Sequence, residues 1–221
     1  MKKILTGLMM LLALTVAAQA LAGNTPQRPL TSTAGAHVVD DFEDGTFLKS
    51  PEWWVFDNID LTITSDKKLW IRGKASDWYV GGLGTYLFTP GKDLSKYSAM
   101  DLDIWGTGPH SGTLKIELYD DDNGNEQIEQ DPKKGYAPIY DDRFSYELKV
   151  DWKGYRHVSI PFFEFVDNNP DAGDNVWNPQ QMRGSGGLLQ MQLIVVATSK
   201  TGRVDMTIDN IAFAAGNNKK R

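Results

Sequence analysis

The sequence predicts an all-β domain built from two packed antiparallel sheets. Short apolar-alternating runs recur from His37 to Phe213, separated by Gly, Asp, Asn and Pro clusters. No stretch sustains a helical period beyond about two turns. About ten short strands in one domain of under about 200 residues fit a two-sheet sandwich, in which each strand gives one face to the core and one to solvent.

The strands follow in chain order. The first four are expected at His37–Glu43, Leu61–Thr64, Lys68–Arg72 and Trp78–Phe88. In Met100–Trp105 the residues Met100, Leu102 and Ile104 share a face, and in Thr113–Tyr119 Leu114, Ile116 and Leu118 do. Phe144, Tyr146, Leu148 and Val150 repeat the pattern, followed by Val158 and Ile160. Leu189–Ala197 is more uniformly apolar, as a central strand would be, and Asp205–Phe213 closes the series. Gly81-Gly82-Leu83-Gly84 lacks the Lys-Ser/Thr of a phosphate loop and reads as a bulge or bend within a strand. Two long loops, Asp120–Arg143 and Asn168–Gly187, stand out as functional or mobile segments.

The ends carry a different composition. Lys2 and Lys3 precede an apolar run from Ile4 to Ala18, and Ala18-Gln19-Ala20 and Ala20-Leu21-Ala22 offer cleavage sites. Residues 1–22 therefore read as a secretory signal peptide, too short for a comfortable membrane span and lacking a lipoprotein cysteine. Residues 23–36 read as a flexible linker and 215–221 as a basic tail, leaving 37–214 as the domain. A secreted or periplasmic location follows. The 221 residues contain no cysteine, so disulfides contribute nothing. Removing Lys2 and Lys3 from 23 basic side chains leaves 21 against 29 acidic ones, a net −8 that repels phosphate backbones and disfavours nucleic acid as a partner.

Catalytic motifs are missing. There is no thiol, no zinc-binding His pattern among His37, His110 and His157, and no G-x-S-x-G elbow. The carboxylates cluster in turns such as Asp120-Asp121-Asp122 and Asp141-Asp142. Asp120–Glu126 resembles a calcium loop in composition but fails the EF-hand spacing at Tyr119, and reads as a plain turn. A better cation set combines Asp40-Asp41-Phe42-Glu43-Asp44-Gly45 in the first strand with Asp209 in the last, because first and last strands of a sandwich commonly adjoin. The other reading of Asp209 is hydrogen bonding to nearby backbone N–H groups.

The chain also holds 7 Trp and 8 Tyr. Aromatic faces stack on the C–H faces of sugars, and polar side chains bond the hydroxyl rims. Alternation turns Trp105 and Tyr119 away from the core with Asp103, Lys115 and Glu117, and His157 with Ser159 likewise. Tyr136, Tyr140 and Trp177 lie in the long loops. The plainer alternative makes the aromatics core packing, and Asp103 with Lys115 a cross-strand ion pair.

The opening Asp40–Gly45 with Trp53-Trp54-Val55-Phe56, then Asp93-Leu94-Ser95-Lys96-Tyr97, resembles family 11 carbohydrate-binding modules and related galactose-binding-like domains. So do Trp152-Lys153, Val158–Phe165, Trp177-Asn178-Pro179 and Ile208–Phe213, and the similarity covers roughly 37–214. The resemblance implies a jelly-roll sandwich that binds a polysaccharide or oligosaccharide on one sheet without catalysis. It implies structural calcium on Asp41, Glu43 and Asp209, a buried Trp152, and a strand ending at Pro161. The ligand residues it suggests, together with alternation, are Trp78, Tyr79, Trp105, Glu117, Tyr119, His157, Gln190 and Gln192. The stretch Gln190–Ala197 departs from glucan-binding members, offering Gln190, Gln192 and Val196 where they carry an exposed aromatic. The alternatives are an envelope-associated sandwich that binds no sugar, and a small glycosidase or lyase.

Overall fold

The computed structural model describes residues 35–87, 94–181 and 184–215. The signal peptide, the linker to residue 34, Phe88, Asp93 and the tail from residue 216 lie outside the described residues. The strands are β1 (His37–Asp40), β2 (Trp53–Asp57), β3 (Ile59–Ile63), β4 (Leu69–Lys74), β5 (Tyr79–Tyr86), β6 (Ala99–Thr107) and β7 (Gly112–Asp121). They continue with β8 (Gln130–Asp131), β9 (Ala137–Pro138), β10 (Asp142–Val150), β11 (Lys153–Pro161), β12 (Val166–Asp167), β13 (Gly187–Val196) and β14 (Arg203–Ala214).

The result is the expected antiparallel jelly-roll sandwich. The front sheet runs β12-β10-β7-β13-β5-β2, and the back sheet runs β11-β6-β14-β4-β3, with β1 added along β14. The inward faces supply the alternating residues read from sequence: Leu114, Ile116 and Leu118 from β7, Met191, Leu193 and Val195 from β13, Met100, Leu102 and Ile104 from β6, and Met206 and Ile208 from β14. β13 is central in the front sheet. Trp152 is buried and β11 ends at Pro161, as the resemblance implies.

Strand β2 was not expected from the pattern, because Trp53-Trp54-Val55-Phe56 is apolar on both faces. Trp53 enters the core and donates its indole N–H to the buried Asp40 at 2.8 Å. Trp54 and Phe56 instead turn outward over strand β5. Their cross-strand partners are Gly84 and Gly82. A Cβ on Gly84 would sit 2.3 Å from the Trp54 ring, and one on Gly82 would sit 2.5 Å from the Phe56 ring. These glycines form a trough that lets two rings lie on the sheet. The register also slips opposite Gly81, between Val195 and Val196, so the predicted bulge is present.

The first and last strands adjoin, as expected. β4 pairs β14 up to Ile208, and β1 takes over at Ile211. Asp209 and Asn210 stand at this exchange, in a bulge against β6 where Asn210 has a φ of 49°. β1 ends at Asp40, earlier than the predicted Glu43.

Candidate functional site

The outward face of the front sheet holds a cleft of about 630 Å³ lined by Trp54, Phe56, Tyr79, Glu117, Tyr136, Arg143 and Gln192, among others. Trp54 lies beside Tyr86 with ring centroids 4.9 Å apart, and Tyr86 is 68% exposed. Tyr136, 62% exposed, is delivered from the short turn between β8 and β9, inside the long loop between β7 and β10. An aromatic strip from Tyr86 through Trp54 and Phe56 to Tyr79 thus borders a polar floor.

Glu117 anchors that floor although it is 3% exposed. Lys115 Nζ lies 2.7 Å from its carboxylate and Arg143 Nε 3.9 Å, and the Tyr119 hydroxyl donates to it at 2.6 Å. Burial and then the Glu117 charge hold the Tyr119 hydroxyl far above the usual phenol range. Burial, then a hydrogen bond donated to Asp57, does the same for Tyr79. Both hydroxyls therefore stay protonated donors, locked in place by carboxylates. Locked side chains lose little entropy when a polar ligand docks.

The predicted ligand residues divide between the two sheets. Tyr79, Glu117, Tyr119 and Gln192 meet in this cleft. Gln190 is buried beside it, paired with Tyr86 and Tyr119, and Trp78 is exposed at the start of β5. Tyr119 itself is buried to 1%, so it offers an edge rather than an open face. Trp105 and His157 lie on the outward face of the back sheet, away from the cleft. The alternative of an Asp103–Lys115 cross-strand pair does not hold, because the two residues belong to different sheets: Lys115 pairs Glu117, and Asp103 turns to the back. Trp177 is not a free loop aromatic either; it packs on Phe162 at 5.0 Å and Phe144 at 5.3 Å.

Sequence reasoning missed Trp54, Phe56 and Arg143 as cleft residues, and Tyr86 beside Trp54. The available signal was the match of two outward aromatics to glycines two residues apart.

The back face has aromatic rings too, but its own cations cover them. Lys68 Nζ sits 4.7 Å from the Trp105 ring, and Arg72 sits 4.0 Å from the Trp70 ring. Tyr155 donates to Asp103 at 2.9 Å, and Asp103 also bonds His157 Nδ1 at 2.9 Å and Asn210 Nδ2 at 2.8 Å. A larger open cleft of about 850 Å³ at one end of this sheet is lined by Asn58, Asp60, Arg72, His110, Arg203 and Asp205, among others, with no Trp, Tyr or Phe. The front face is therefore the candidate.

Two groups of carboxylates bear on metal binding. Asp41 and Glu43 are exposed, and Asp41 accepts from the Glu43 N–H at 3.3 Å. Glu43 lies close enough to Asp209 to repel it; burial first, with Asp103 and Glu43 adding to it, pushes Asp209 up to about 7 against the pull of Lys68. Among the described residues, the carboxylates that bring one oxygen each to within 4.8 Å of one another are Asp120, Asp122 and Asp142. This buried aspartate cluster can hold a metal ion. It includes the segment that its sequence marked as a plain turn. Among the described residues no helix is long and apolar enough to cross a membrane.

No family model matches the sequence, and no protein of curated function matches it. Solved structures do match. A family 11 carbohydrate-binding module from Clostridium thermocellum, in complex with a β-1,3-1,4-mixed-linked tetrasaccharide, is 18% identical, with 84% of this chain and 98% of that one covered and a TM-score of 0.52. The family 11 module of the cellulosomal cellulase Lic26A-Cel5E of the same organism is 17% identical over 84% and 97% of the two chains, with a TM-score of 0.49. A xylan-binding domain from Paenibacillus barcinonensis is 16% identical over 79% and 97%, with a TM-score of 0.42. The chain thus has the β-sandwich fold of family 11 carbohydrate-binding modules.

Proposed function

We propose that this protein binds a polysaccharide on the outward face of the front sheet, without acting chemically on it. One observation carries the reading: an aromatic strip, seated in a glycine trough, borders a cleft whose polar groups are held by one another. Rings of this kind stack on sugar C–H faces, while Gln192, Arg143 and the Tyr79 and Tyr136 hydroxyls suit the sugar rim. The fold likeness to a module solved with a mixed-linked tetrasaccharide agrees with this. Glu117 and Asp57 both line the cleft, yet Glu117 is neutralised by Lys115 and Arg143, which suits binding better than proton transfer.

The reading includes export through residues 1–22 and a periplasmic or extracellular site of action. It also includes calcium at Asp41, Glu43 and Asp209, supported by the repulsion that Glu43 adds at the buried Asp209; a calcium-dependent melting shift reduced by Asp209→Asn would uphold that part. Affinity electrophoresis of the mature chain on a panel of neutral and acidic polysaccharides tests the main claim. Retardation on at least one, abolished by Trp54→Ala, is expected. Migration unchanged on all of them would sink it, and release of reducing ends from any of them would replace binding by catalysis.

A further inference from the structure

The structure assigns a second divalent-cation site to Asp120, Asp122 and Asp142, on the side of the front sheet where the two long loops meet. Asp120 ends β7, Asp142 begins β10 opposite it, and Asp122 follows in the first long loop. One carboxylate oxygen from each lies within 4.8 Å of the others. Asp120 and Asp142 are fully inaccessible to solvent.

The decisive feature is what each carboxylate does with its two oxygens. Asp120 Oδ2 accepts from the Asn178 N–H at 2.7 Å, Asp142 Oδ2 from the Val176 N–H at 3.1 Å, and Asp122 Oδ2 from the Asp142 N–H at 2.9 Å. The Oδ1 atom of all three is buried with no hydrogen-bond partner. A buried, unpartnered carboxylate oxygen is costly, and three in one cluster are rarely left so. No Lys or Arg side chain among the described residues pairs with them.

Gly173, from the second long loop, marks the gap. A Cβ built there would lie 2.0 Å from Asp142 Oδ1 and 2.5 Å from Asp122 Oδ2. Two carboxylates therefore aim at one spot that only a glycine leaves open. All-oxygen donors of this charge suit a hard cation of the calcium type, which takes six to eight oxygens at about 2.3–2.6 Å. Asp174, whose charge acts on both Asp122 and Asp142, is near enough to enlarge the set. The backbone N–H groups of Val176 and Asn178 tie the second loop to the same carboxylates. A cation there clamps the bases of both loops, including the segment that carries Gln130 and Tyr136 to the cleft. The assignment stands whether or not the cleft binds sugar.

Calcium chloride itself is the probe. The chain is stripped with chelator, titrated by calorimetry at neutral pH, and melted with and without calcium. At about 100 times the dissociation constant the melting temperature should rise by about 5–10 °C. Asp122→Asn and Asp142→Asn should each remove most of the rise that remains in Asp209→Asn. In chelator, Asp122→Asn should melt at or above the parent, because one repelling charge is gone. Asp122 is half-buried, so this variant tests the site even if Asp142→Asn fails to fold. The absence of both binding heat and a melting shift with calcium or magnesium would overturn the assignment. An undiminished shift in Asp122→Asn, or a shift lost only in Asp209→Asn, would overturn it as well.

Discussion

Gly84→Ala should damage the cleft while leaving the core untouched. The added methyl carbon would lie 2.3 Å from Trp54 Cζ2, 2.5 Å from Cε2 and 2.9 Å from Nε1. Ordinary carbon contacts begin near about 3.5 Å, so the indole must retreat by about 1 Å. Trp54 is half-buried at a sheet edge and can lift toward solvent rather than shift the backbone. Overpacking costs about 1–3 kcal/mol, and replacing a strand glycine by alanine returns about 0.5–1 kcal/mol. A net loss near 1 kcal/mol lowers the melting temperature by about 2–4 °C in a domain of this size. Binding should suffer more, because a displaced ring no longer matches its neighbours Tyr86 and Phe56. A loss of about tenfold, roughly 1.4 kcal/mol, is the size of one aromatic stacking contact. Differential scanning fluorimetry reads the first number, and affinity electrophoresis on the retarding polysaccharide reads the second. The same substitution in a Trp54→Ala background should cost no stability. If Gly84→Ala melts and binds like the parent, or costs as much without the indole as with it, the trough does not seat the ring.

Three further outcomes follow. Tyr136→Ala should change stability by less than about 0.5 kcal/mol, since the side chain is 62% exposed, while weakening glycan binding about tenfold; unaltered affinity would remove the loop from the site. Trp105→Ala should lower the melting temperature, through lost contacts with Tyr155 and Lys68, yet leave affinity within about twofold, and a large affinity loss would move the site to the back sheet. Asp40 is raised by burial from 3.8 to about 6, against hydrogen bonds from Phe42 and Trp53. The folded state thus holds this proton more tightly than the unfolded chain, so stability declines as pH rises from about 4 to about 6, by about 3 kcal/mol for this group. Denaturant melts across that range should show the decline flattened in Asp40→Asn, and an identical slope in the variant would refute it.

Much of the fold was legible because a strand repeats every two residues. Leu114, Ile116 and Leu118, or Met100, Leu102 and Ile104, announce their core face without any neighbour being known. The same period placed Glu117 and Tyr119 outward together, and both do line the cleft. It failed at Trp53–Phe56, where both faces are apolar because one meets the core and the other meets glycines of β5. It also failed for the acidic turn at Asp120–Asp122. Its partners Asp142 and Gly173 lie far along the chain, and spacing within one loop carries no trace of them.

Alternation along a single strand thus determined that this chain is a sandwich and which residues leave its core. It did not determine which sheet each strand joins. Asp103, Trp105 and His157 face outward as surely as Lys115, Glu117 and Tyr119, yet the two groups end on opposite surfaces. Sheet membership depends on long-range hydrogen-bonded pairing, a property of two strands rather than of one. Only that pairing set Trp54 over Gly84, surrounded Glu117 with Lys115, Tyr119 and Arg143, and brought the distant Asp142 to Asp120 and Asp122 around one gap.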